Sequence, residues 1–74
     1  IRYDIPEESH VRIDVYNVLG QKVAKLVETF HQPGFHTVNW DGTNTLGSEL
    51  SSGMYFYRIQ ANDFTAVKKL LLVK

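Results

Sequence analysis

The sequence predicts an all-β domain, an antiparallel sandwich of about seven short strands, and three observations carry that expectation. Apolar and polar residues alternate with period two along successive stretches. Glycine, asparagine, aspartate and proline stand between those stretches, where tight turns would reverse the chain. The single stretch with a helical period, residues 21–30, is flanked on both sides by strand signals.

Residues 51–61, SSGMYFYRIQA, give the clearest strand signal and predict the central strand. Tyr55, Tyr57, Ile59 and Ala61 share one face, bulky enough to need a core, while Met54, Phe56, Arg58 and Gln60 share the other. Ahead of it, Ile1, Tyr3 and Ile5 alternate with Arg2 and Asp4 until Pro6, which cannot donate a ladder hydrogen bond, ends the first strand. Val11, Ile13 and Val15 then alternate with Arg12, Asp14 and Tyr16, predicting a strand with one face in water. Asn17 and Gly20 are the turn residues that follow, and apolar Val18 and Leu19 are expected to fold over the open end of a core.

In residues 21–30, Val23, Leu26, Val27 and Phe30 fit a helix at i, i+3, i+4 and i+7. A lone ten-residue helix without an N-cap is marginal in water, so the context favours a strand bulged near residues 24–26, where one extra residue shifts the facing register. Pro33-Gly34 marks a turn, and residues 35–40 alternate again, with His36, Val38 and Trp40 on one side. A loop over residues 41–50 follows, with Leu46 and Leu50 expected to pin it and Leu50 to open a short edge strand. After the turn at Asn62-Asp63, residues 64–73 form the last strand. The strand count and turn spacing argue for an immunoglobulin-like sandwich, with one core built from Val11, Ile13, Val15, Val38, Trp40, Tyr55, Tyr57, Ile59 and Leu70.

Seventy-four residues make a single domain over residues 1–74, one that buries only about 60% of its unfolded surface. A 43% hydrophobic and 22% charged composition is that of a folded chain and argues against wholesale disorder. Eight basic and eight acidic residues cancel, which removes the field expected of a nucleic-acid or anionic-membrane partner. No apolar run approaches the roughly 20 residues of a membrane span. The absence of cysteine removes disulfides, thiolate metal sites and cysteine nucleophiles together. The chain opens directly on a strand pattern, the start expected of a fragment of a longer protein.

Chemical constellations are sparse, and no catalytic, cofactor-binding or metal-binding residue is expected. His10, His31 and His36 lie far apart on different elements. Ser51 or Ser52 could be combined on paper with His36 and Asp41, but no nucleophile elbow frames either serine. Residues 41–45, DGTNT, cluster oxygen atoms without the calcium-loop pattern, so Asp41 and Asn44 read as turn formers. Tyr16, Tyr55, Phe56 and Tyr57 could form an aromatic platform for sugars, although aromatics at alternating positions are more often core.

Four pieces taken in order carry a resemblance: residues 16–23, YNVLGQKV; Trp40-Asp41-Gly42; residues 52–58, SGMYFYR; and the lysine-bearing end. They look like the type A C-terminal sorting domain of proteins exported by the bacterial type IX secretion system, in the variant related to the immunoglobulin-like domain of flagellar hook-capping proteins. The resemblance implies a non-catalytic sorting signal at the end of a larger secreted protein. It would be read by the type IX outer-membrane machinery and would carry N-terminal cargo domains to the outer membrane, cell surface or exterior. The translocon is then expected to dock on Lys68, Lys69, Leu70, Leu71, Leu72, Val73 and Lys74, where lysines frame an apolar run on a last strand. The alternatives are a structural spacer, an adhesion or carbohydrate-binding module, or an assembly scaffold like the hook-capping domain.

Overall fold

A computed structural model describes residues 1–73, which form six β-strands in two antiparallel sheets. In chain order these are β1 (Arg2–Ile5), β2 (Ser9–Tyr16), β3 (Lys22–His31), β4 (Gly34–Thr37), β5 (Gly53–Ala61) and β6 (Phe64–Leu72). The larger sheet has the order β3-β2-β5-β6, and β1 pairs with β4 alone to make the smaller one. The strongest sequence signal, β5, lies between β2 and β6 as its two-faced pattern predicts.

The strands number six rather than about seven, for a local reason. Val38 keeps a backbone pairing with Ile1, but the chain bends away at Asp41-Gly42, where Gly42 has φ 80°. The edge strand expected at Leu50 is reduced to one bridge between Thr43 and Glu49, with the Leu50 N–H donating to the Gly42 carbonyl at 2.9 Å.

β3 shows why residues 21–30 carry a helical period. Against β2, Ile13 faces Val27 but Asp14 faces Lys25, and Val15 faces Ala24 but Tyr16 faces Lys22. Leu26 and Val23 are therefore the extra residues of two bulges, each of which resets the alternation. The first lies where the sequence places it; the second, at Val23, is new. Two resets bring Val23, Ala24, Leu26 and Val27 to the core from positions that strict alternation would divide between faces.

The core is continuous with β2 but falls into two clusters instead of one. Tyr3, Ile5, Val11, Ile13, Ile59 and Ala61 form the first, and Val15, Ala24 and Tyr55 the second. Val38, Trp40, Tyr57 and Leu70 pack against these clusters half-buried. Trp40 meets Tyr55 edge to face, with ring centroids 5.3 Å apart, and its indole N–H donates to the Thr43 carbonyl at 2.9 Å. The small sheet is too narrow to cover all four strands beneath it, which leaves these residues partly open.

Val18 and Leu19 do not fold over the core; they are 66% and 79% exposed. The β2–β3 turn is held by polar bonds instead. Asn17 Oδ1 accepts the backbone N–H groups of Leu19 and Gln21, both at 3.0 Å, while Asn17 Nδ2 donates to Gln21 Oε1 at 2.8 Å. Asn17→Ala is expected to cost about 1–2 kcal/mol in urea unfolding, since two N–H groups lose their acceptor. In the loop between β4 and β5, Leu46 is 90% exposed and pins nothing. Thr45 N–H bonded to the Val23 carbonyl, together with half-buried Leu50, anchors that loop.

Candidate interaction surface

Among the described residues β6 pairs only with β5, so one of its edges is open. Asn62 and Asp63 form a two-residue hairpin loop, with Asn62 in the left-handed region at φ 51°. In such a hairpin the flanking residues, Ala61 and Phe64, exchange both bonds, and pairs alternate from there. The backbone N–H and C=O groups of Thr65, Val67, Lys69 and Leu71 consequently point away from β5, along the free edge.

The residues expected to dock a partner separate onto two faces of this strand. Leu70 and Leu72 turn inward and pack half-buried against the second cluster. Leu71 and Val73 are 68% and 76% exposed, and Lys68 and Lys69 are exposed on opposite faces. Lys74 lies outside the described residues. No ion pair engages Lys68 or Lys69 among the described residues.

The outer face of the large sheet combines apolar and charged side chains. Tyr16 faces Phe56, which faces Lys69, and Met54 faces Leu71 across the next row. Tyr55 and Tyr57 point to the core, so the four aromatics proposed as a sugar platform do not share a face. On the same outer face Asp14 departs from the expectation of a water-facing position: it is only 4% exposed. Arg12 Nε donates to its Oδ2 at 2.9 Å, Lys22 Nζ lies 3.8 Å from its Oδ1, and Oδ1 has no hydrogen bond. The long stems of Arg12 and Lys22 cover the carboxylate, which periodicity alone does not reveal. Nearby, hydrogen bonding by Lys25 and then its charge hold the exposed Glu28 carboxyl below its ordinary range.

The histidines are not all far apart, as their sequence positions suggest. The Gln32-Pro33 turn folds β4 back so that the rings of His31 and His36 lie 4.2 Å apart, and the Tyr3 hydroxyl meets His31 Nε2 at 3.0 Å. His10 lies elsewhere, edge to face with Phe30. No group of three or more histidine, cysteine or acidic residues converges among the described residues. Burial, and then the neighbouring His36, lower the His31 pKa, while burial raises that of the Tyr3 hydroxyl. The folded chain thus binds less proton at His31 than the unfolded chain does. Its contribution to stability is present above the ordinary pKa of about 6.5 and is lost as pH falls through and below it. The urea midpoint should fall between about pH 7.5 and pH 5, with a shallower fall in His36→Asn.

His36 is thereby engaged with Tyr3 and His31, while Asp41 Oδ1 accepts the Thr43 N–H at 3.1 Å and hydroxyl at 2.6 Å. Asn44 Oδ1 likewise accepts the N–H groups of Leu46 and Ser48, both at 3.0 Å. Both residues act as the turn formers the sequence suggests.

A two-sheet antiparallel sandwich whose polar groups mostly serve turns defines an immunoglobulin-like structural module. The chain belongs to the FlgD Ig-like domain family, whose model matches residues 1–64. That match corrects the expectation of a type IX sorting domain, for which no family was detected. The motifs that suggested it in residues 1–64 belong to the hook-capping type of immunoglobulin-like domain. The family is one of non-catalytic structural domains. No curated protein and no solved structure matches the chain. No helix among the described residues is long and apolar enough to cross a membrane.

Proposed function

We propose that this chain is a non-catalytic assembly module of a larger exported protein, and that it holds a partner protein through β6. The observation that carries the reading is membership of the FlgD Ig-like family in a chain that presents an unpaired edge strand with exposed lysines. FlgD is a flagellar hook-capping protein, an exported component. Structural work on the outside of the cell is thus the function class that supports this reading. The contact runs over Lys68, Lys69, Leu70, Leu71, Leu72 and Val73, with Lys74 beyond the described residues. Residues 65–72 of β6 lie past the matched part of the chain, so this surface rests on edge chemistry. An open strand supplies backbone donors and acceptors, Leu71 and Val73 supply apolar area, and two unpaired lysines select an acidic partner.

The test is made in the longer protein that carries the chain. The Lys68→Glu/Lys69→Glu variant, shown to fold by an unchanged unfolding curve, is expected to enter the protein's extracellular assembly at least tenfold less than wild type. Lys25→Gln, on the opposite edge strand β3 and likewise shown to fold, should enter normally. Normal entry of the doubly reversed variant defeats the reading.

A further inference from the structure

The open side of the sandwich holds a second unpaired edge, on β1. Ile1 and Val38 exchange both backbone bonds at 2.9 Å, so alternation sends the N–H and C=O groups of Arg2 and Asp4 to the side away from β4. Among the described residues that side is unpaired, because β1 has β4 as its sole sheet neighbour there. Beneath it runs a groove of about 460 Å³, lined among others by Arg2, Asp4, Ile5, Phe64, Ala66 and Lys68. The groove exists because β6 extends past β1 with no strand above it. Its floor is apolar, and the three charged side chains on its rim have no ion pair among the described residues.

We infer that this groove takes one extended segment of a partner protein, which adds antiparallel to β1 as the third strand of the small sheet. The inference rests on the reading of the chain as a contact module and names the chemistry of what it holds. A second copy offering its own β1 does not fit, since its overhanging β6 would claim the same space. A single segment brings no second sheet. Asp4 and Ile5 share a wall with Phe64 at one end, which places Arg2 and Lys68 together at the other. Side chains opposite Asp4 and Arg2 lie two residues apart on the added strand, with apolar neighbours turned down onto Ala66 and Phe64. Read along an antiparallel segment, the matching pattern is apolar, basic, apolar, acidic, apolar. Its acid meets Arg2 and Lys68, and its base meets Asp4.

The probe is the peptide Val-Lys-Val-Glu-Val, fused ahead of Ile1 through a flexible glycine-serine linker of about five residues; the C-terminal end of an antiparallel segment lies beside Arg2, so this short linker holds it near millimolar effective concentration. Its control is the charge-swapped Val-Glu-Val-Lys-Val on the same linker. The first is expected to slow amide exchange at Arg2 and Asp4 at least tenfold and to raise Tm by several degrees; the control should do neither. Arg2→Glu should abolish protection by the first peptide, and Phe64→Glu, at a position already 55% exposed, should weaken it without unfolding the chain. Absence of protection at Arg2 and Asp4, equal protection by both peptides, or protection confined to Thr65, Val67, Lys69 and Leu71 overturns the inference. Because these readouts need no assembly, the groove and the β6 contact can each fail without the other.

Discussion

Replacing Ile13 by alanine is expected to lower the stability of this chain by about 2–5 kcal/mol, the largest effect of any single truncation here. Ile13 has no exposed surface and stands between Val27 on β3 and Ile59 on β5, so its loss opens a cavity that two sheet neighbours hold apart. Small domains have total stabilities near the lower end of about 5–15 kcal/mol, so a sizeable unfolded fraction should appear without denaturant. Urea unfolding followed by Trp40 fluorescence reads the change. Leu71→Ala, at a position 68% exposed, should stay within about 0.5 kcal/mol of wild type. Equal effects at the two positions would mean that the core does not lie where β2 places it.

The second large effect concerns the covered carboxylate of Asp14. Arg12→Ala removes its close hydrogen bond and leaves only Lys22, 3.8 Å from the other oxygen. A loss of about 1–3 kcal/mol is expected, the cost of leaving a buried acceptor unsatisfied. Removing both charges should behave differently. In Arg12→Thr/Asp14→Val two β-branched residues stand in a central strand and no buried carboxylate remains to be desolvated, while Lys22, its side chain 37% exposed, keeps its charge in water. That variant is expected to match or exceed wild type in stability. A double variant weaker than Arg12→Ala would show instead that the ion pair stabilises the sheet on balance.

Much of this architecture is legible in the residues because three strands, β1, β2 and β5, keep strict alternation on one face. Tyr3 and Ile5, Val11 to Val15, and Tyr55 to Ala61 point where period two sends them, with Tyr57 half-covered. β3 resists that reading because its two bulges imitate a helical spacing, and only the neighbouring strands argue for extended chain. Asp14 and the His31–His36 pair were not legible at all. Burial of Asp14 depends on side chains folding over it from β2 and β3, and the histidines meet only once a hairpin has closed. The resemblance erred in a similar way. Shared turn and strand motifs identify a sandwich lineage, whereas the task of a module depends on what its open edges touch.

Contact along β6 is the work proposed for this module. Amide hydrogen exchange, compared between the longer protein free in solution and the same protein in its assembly, reads that contact residue by residue. Fast exchange is expected at Thr65, Val67, Lys69 and Leu71 in the free protein, and strong protection of those four amides in the assembly. Unchanged fast exchange along β6, with new protection appearing only on the opposite edge strand β3, would contradict it.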